Sequence, residues 1–195
     1  MRHRISGKQL NVTSAHRRAM LRNLAAGLFE HGQIETTPAK AKAVQRFVEK
    51  LITLARTKTL DSRRRLTSKL TDRRVFPWVA YDSVPATSKS SPYWELPPAG
   101  EIEFNRYGEL RKSPRLIEHV LTRVAPLFKD RPGGYTRIVK LDKRRLGDGT
   151  DLVLLQLVGK EDGPQVSGRR SNRRAIADKR TAFAAKVRKA AKAEA

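Results

Sequence analysis

The sequence predicts an α+β protein with a strongly basic core. Three observations carry that class. Apolar residues recur at three- and four-residue steps over 14–31, 39–56 and 115–128, the spacing of one helix face. Residues 136–158 read as strand, Asp-Gly turn and strand, which is a β-hairpin. Lys and Arg total 42 against 19 Asp and Glu, a net charge of +23 that is spread over nearly every segment.

The elements follow in order. Residues 1–13 form a polar arm. Arg2, Arg4, Lys8, Arg17, Arg18 and Arg22 fall within the first 25 residues with no acid among them, and His3 and His16 share the run. Ser14 is the expected N-cap of a helix ending at His31, because its hydroxyl can accept from an unpaired first-turn amide. Met20, Leu21, Leu24, Ala25, Leu28 and Phe29 share one face of it. Gly32 suits the left-handed position that ends a helix. A basic, amide-rich helix start is a natural phosphate site. A short strand is expected at 34–36. Thr37-Pro38 then opens a second helix, since proline fits the first helical position. Its Val44, Val48, Leu51 and Ala55 lie on one side and Lys42, Arg46 and Lys50 roughly opposite. A third helix is expected over 60–70, carrying Arg63, Arg64 and Arg65.

Residues 76–113 differ from the rest. They hold seven of the twelve aromatics and five of the ten prolines, with four basic and five acidic residues. Poor periodicity and recurrent proline predict loop with one short hairpin. Two readings fit the aromatics: they fold back over the core, or they form an outward module against a neighbouring protein. On either, the core is expected to close without the segment. The near-zero charge argues against an RNA-facing role. A helix over 115–128 follows, broken by Pro132-Gly133-Gly134. Strands are expected at 136–141 and 151–158, with two adjacent glycines permitting a tight turn before them. Residues 161–195 hold ten basic and four acidic residues with few large apolar side chains. Alone such a tail is expected to be largely disordered, and to become ordered on RNA.

Composition also bounds function. So positive a chain repels its own copies and attracts polyanions, and basic residues in nearly every segment give the footprint of a nucleic-acid binder. Membrane-surface binding would need a broad apolar helix face opposite the lysines, which no segment offers. No cysteine is present, so disulfides and cysteine-based zinc sites are excluded. No apolar run is long enough to span a bilayer, and the N-terminus has no apolar signal region. The four histidines, His3, His16, His31 and His119, show no metal-binding spacing, and the glycines form no phosphate-loop motif. No cofactor, no metal and no enzymatic activity are expected.

The run MRHR, Gly7, Leu10-Asn11, His16-Arg17, Ala19-Met20 and Arg22-Asn23 resembles the opening of the bacterial large-subunit ribosomal proteins of the seventeenth family. Val12-Thr13 departs from that pattern, where a basic and a polar residue are expected. Residues 39–57, notably Lys40, Lys42, Glu49 and 51–55, are also similar to the family, as is the stretch from Gly133 to Ile138. The resemblance covers 1–75 and about 114–160. It implies a compact two-layer core ordered helix, strand, three helices, two strands, with a small mixed sheet under the helices. The core would be residues 1–160, interrupted by an insertion at 76–113 and followed by the basic tail at 161–195. The implied role is that of a structural constituent of the large ribosomal subunit in the bacterial cytoplasm, binding ribosomal RNA by phosphate neutralisation and shape. The resemblance carries RNA contact onto Arg2, His3, Arg4, Lys8, His16, Arg17, Arg18, Arg22, Asn23, Lys40 and Lys42, and onto the Gly133, Gly134, Tyr135, Thr136 and Arg137 turn. It implies neighbouring large-subunit proteins as partners, the thirty-second family first. Two other classes compete: a nucleoid-type DNA-compacting protein, which the charge and the alanine-lysine tail also suit, and a ribosome assembly factor.

Overall fold

The innermost strand is the one the sequence makes most apolar. In the computed structural model, which describes residues 7–85, 89–91, 93–158 and 183, β5 (Asp151–Leu157) lies between β1 (Gln33–Thr36) and β4 (Thr136–Arg144). Val153, Leu155 and Leu157 point from it into the core and are buried. Ile34 and Ile138 flank Leu155 on that face, while Gln33 and Arg137 flank Gln156 on the other. Both pairings are antiparallel, so the expected mixed sheet is instead antiparallel throughout. The physical reason is connectivity. A parallel neighbour needs a crossover connection, whereas β4 and β5 are joined by a turn and β1 enters at the opposite edge of β5, straight from the first helix.

That helix, α1 (Ser14–His31), begins as expected but is capped one residue earlier, at Thr13. Thr13 is extended and its side chain makes no capping bond, while its carbonyl accepts the first helical bond from Arg17 N at 2.9 Å. Ser14 is already helical. Gly32 ends α1 with φ 76°, its amide donating to Leu28 O at 2.8 Å. α2 (Pro38–Arg56) buries Ala41, Val44, Val48, Leu51, Ile52 and Ala55. α3 (Leu60–Leu70) buries Leu66 and Leu70, and its N-cap Thr59 accepts from Ser62 N at 3.1 Å. α1 and α2 pack on the sheet, and α3 packs on both of them.

The helix expected at 115–128 is present but not uniform. α4 (Leu116–His119) widens into a π turn at Val120–Val124 before α5 (Ala125–Leu127). Ala125 N reaches Val120 O, five residues back. Pro126 explains the widening, because proline has no amide to donate and its ring crowds the carbonyl four residues earlier.

Residues 76–113 include the expected hairpin, β2 (Glu103–Phe104) against β3 (Leu110–Lys112). Their aromatics answer the choice left open by the sequence. Phe76, Val79, Tyr93, Trp94 and Ile102 join the same buried cluster as the helices and β5. They fold back over the core, and the last turn of α1 receives them. Glu30 Oε1 accepts from Phe76 N at 2.8 Å and from Trp78 Nε1 at 2.9 Å. His31 lies 5.4 Å from the Trp78 ring. A Cβ placed on Gly32 would sit 2.1 Å from the Tyr93 ring. The segment thus contributes buried side chains to the core that was expected to close without it.

The chain divides into two units, Met1–Glu161 and Asp162–Ala195. All the elements above belong to the first. Of the second only Phe183 is described, and it is exposed. The disorder expected of the tail, and the roles given to Arg2, His3 and Arg4, lie outside the described residues.

Candidate nucleic-acid interface

The arm, α1 and α2 meet in a concavity of about 310 Å³ lined by Gly7, Lys8, Arg17, Leu21, Lys42, Ala43 and Arg46. Four of these are cations and none is an acid. Their convergence has a local cause. The arm turns through Leu10 and Asn11, both at positive φ (59° and 54°), which is costly for a residue as bulky as Leu. Arg17 Nη1 donates to Gln9 O at 3.4 Å and ties the arm to the helix. Lys42 and Arg46 are one helical turn apart and exposed on α2.

Arg46 also lines a second concavity, of about 360 Å³, with Glu49, Lys50, Thr53, Gly133 and Tyr135. The Lys42, Arg46 and Lys50 stripe thus joins the helix-start site to the Gly133 turn along one face. Glu49, the acid on that path, is occupied: its Oε1 accepts from Thr136 Oγ1 at 3.1 Å. Arg46 is legible in the sequence as part of the stripe, but only the fold places it in the site. The four-residue spacing is the available signal, and it is shared by many solvated helices.

The other expected site residues separate into exposed and structural ones. His16, Arg18 and Asn23 are exposed on α1, and Gly133 and Gly134 are exposed in their turn. Lys40 is half-buried in the first turn of α2. Arg22 is half-buried and its Nε donates to Lys69 O at 3.0 Å, which fastens α1 to the end of α3. Tyr135 is buried against Phe128, with ring centroids 5.0 Å apart, and Thr136 is buried as well. Arg137 Nε donates to Gln156 Oε1 at 2.8 Å, and Gln156 in turn donates to Gln33 Oε1 at 2.9 Å. In the described structure, then, Tyr135 and Thr136 anchor the turn and do not offer their side chains to a ligand.

A residue the sequence did not single out holds that turn in place. Arg56, ending α2, donates from Nη2 to Lys129 O at 2.7 Å and from Nη1 to Arg131 O and Tyr135 OH, both at 2.9 Å. A basic residue at a helix C-terminus is too common to have been a signal.

His119 belongs to the core and not to the interface. Its Nε2 lies 2.9 Å from Phe29 O, and the Phe76 and Trp94 rings stand edge-on to it. Burial, with a smaller contribution from Arg123, lowers its pKa to about 4 against the opposing bond to Phe29, so at neutral pH the ring is neutral and Nε2 donates to the carbonyl. Among the described residues, no cluster of His, Asp and Glu could hold a metal ion, and no helix is long and apolar enough to cross a membrane.

An α+β core with cations gathered along one face is the class of protein that suits a polyanionic partner. Comparison with known proteins makes the class specific. Residues 20–93 and 100–158 match the ribosomal protein L17 family. The large ribosomal subunit protein bL17 of Persephonella marina is 35% identical over 162 residues, covering 83% of this chain and 98% of the relative. Its counterpart in Sulfurihydrogenibium sp. is 35% identical over 158 residues, 81% of this chain and 97% of the relative. That of Lawsonia intracellularis is 36% identical over 156 residues, 80% and 91% respectively. The chain belongs to the ribosomal protein L17 family of bacteria, structural constituents of the large subunit of the cytoplasmic ribosome and not enzymes. The match runs through 76–93 and 100–113, so only 94–99 of the segment read as an insertion separate its two matched stretches.

Proposed function

We propose that the chain holds large-subunit ribosomal RNA on the face that runs from Lys8 and Arg17, through Lys42 and Arg46, to Lys50 and the exposed Gly133-Gly134 turn. The observation that carries this reading is the acid-free concavity in which Lys8, Arg17, Lys42 and Arg46 converge. Several cations elsewhere on the surface are matched by acids, as in Arg65 with Asp61 at 2.8 Å, Lys112 with Glu103 at 3.0 Å and Lys143 with Glu35 at 3.3 Å. Unmatched cations gathered on one face gain most from displacing the counterions of a phosphate chain. His16, Arg18 and Asn23 extend the face along α1. Arg2, His3 and Arg4 would continue it along the RNA, where arginine and histidine planes can stack on unpaired bases. Lys40, Arg22 and Arg137 contribute positive potential beside it. The core at 1–160 is the binding unit, and the ten basic residues of 161–195 serve the same polyanion. Other large-subunit proteins are its neighbours, with the thirty-second family in contact.

The test is the double substitution Lys42→Glu and Arg46→Glu. Both side chains are exposed, so the thermal melt of the free protein should stay unchanged. Occupancy in salt-washed large subunits should fall. The log–log salt slope for binding structured RNA should shrink by about 1 for each phosphate no longer neutralised. Normal occupancy with an unaltered slope would move the RNA interface elsewhere.

A further inference from the structure

We propose that the β2–β3 hairpin carries a second, separate RNA contact, in which Tyr107 stacks on an unpaired base while Arg106 and Arg111 hold the adjoining phosphates. The proposal rests on the ribosomal RNA reading above.

The hairpin tip is a fixed platform. Asn105 Oδ1 accepts from the amides of both Tyr107 and Glu109 at 2.9 Å. Asn105 N donates to Glu109 O at 2.9 Å, and Gly108 N to Asn105 O at 3.0 Å, with Gly108 at φ 76°. On this rigid turn Tyr107 is 71% exposed, although other aromatics of the same segment, Phe76, Tyr93 and Trp94, are buried in the core. The Arg106 guanidinium lies 4.7 Å from the Tyr107 ring centroid and also bonds its hydroxyl. A stacked, pre-ordered arginine–tyrosine pair loses little freedom when it receives a third planar group.

Charge selects the occupant. Summed over 76–113 the charge is slightly negative, but its distribution on the hairpin is not. Glu103 is taken by Lys112 at 3.0 Å. Glu109 accepts from Asn105 Nδ2 at 2.9 Å. Arg111 is exposed with no partner among the described residues. Arg74, which pairs across an isolated bridge with Arg115, donates to Leu110 O at the start of β3, while Arg115 itself is matched by Asp72 at 3.5 Å. A protein pocket closing over this tip would strip water from Arg106 and Arg111 and needs acids of its own to offset that cost. A single strand of RNA brings both complements, a base face for the ring and phosphates for the guanidinium groups.

The test uses the full chain with Tyr107→Ala and Tyr107→Phe. Each is titrated at one salt concentration against an oligoadenylate of roughly twelve nucleotides and an RNA duplex of similar length. Tyr107→Ala should weaken binding to the single strand about tenfold and leave duplex binding unchanged, while Tyr107→Phe should bind both as the wild type does. An alanine variant that binds the single strand normally overturns this proposal alone. So does equal weakening on both RNAs, and so does normal RNA binding combined with failure to enter subunits, which would assign the tip to a protein. A wild type that binds neither RNA overturns the proposed function together with this contact.

Discussion

The two ends of α1 do opposite work. At its start, Arg17 and the arm stand with Lys42 and Arg46 around a concavity containing no acid, and the interactions of that region are left open for a ligand. At its end, Glu30, His31 and Gly32 receive the Trp78 and Tyr93 side chains, and the interactions there are satisfied inside the protein. The sequence marks both ends by composition, arginine at one and aromatics at 76–113 for the other. Unpaired charge on a surface shows itself directly in the residue composition. Aromatic content does not say whether the rings face outward or inward, because either arrangement removes apolar area from water.

The sharpest way to break this contrast is Gly32→Ala. A Cβ there would lie 2.1 Å from the Tyr93 ring, and φ is 76°. Left-handed backbone costs a non-glycine residue about 1–2 kcal/mol, and displacing a packed aromatic adds several more. We expect a loss on the order of 3 kcal/mol or more, read as a lower urea midpoint of the free protein. Below its melt the variant should bind RNA with the wild-type salt slope, because the concavity is at the other end of the helix. An unchanged midpoint would mean that Tyr93 does not hold the segment to α1.

The next effect is a pH dependence that belongs to the aromatic end. His119 titrates at about 4 in the folded protein against an ordinary value of 6.5, mainly because it is buried. Between those values the unfolded chain binds the extra proton and the folded chain does not. The contribution is therefore intact above pH ~6.5 and is lost as pH falls towards ~4, about 3 kcal/mol across the window. Carboxylates also begin to titrate there, so the comparison is between the wild type and His119→Gln, each unfolded in urea near pH 7 and near pH 4.5. The variant should lose distinctly less stability on acidification. Equal losses would place the charged imidazole comfortably inside the folded state.

What the sequence made legible follows the same division. The 3.6-residue spacing placed α3 at its observed bounds and α1 and α2 within a residue, because each has one face that must be buried. The Asp-Gly turn located the β4–β5 hairpin, in which the Asp148 carboxylate accepts from Arg145 and Thr150 and is held well below its usual pKa. The sheet's direction was not legible, since pairing between strands distant in the chain leaves no local period. The π turn was not either, although Pro126 marked the place. In the site, Lys8, Arg17 and Lys42 were legible as charge. The assignment of Tyr135 to the core and the clamp made by Arg56 required the fold, because both depend on contacts spanning more than seventy residues of chain.

The smallest effect tests how completely the aromatic segment is built into the core. Trp94 is buried, with its ring 4.6 Å from that of His119, yet its Nε1 has no hydrogen-bond partner among the described residues. An unpaired buried donor costs about 1–3 kcal/mol. Trp94→Phe removes that donor and keeps an aromatic ring beside His119, but it leaves a gap where the second indole ring was, at a cost of similar size. The two terms oppose each other, so the net change should fall within about 1 kcal/mol, read from the urea midpoint. A loss above about 2 kcal/mol would show that the indole N–H has a partner in solution. A gain would show that the gap closes and that the donor was a standing cost. Either departure concerns the folded interior alone. RNA binding at the start of α1 should be the same in the variant and the wild type, which is the sense in which the two ends of the helix are separate.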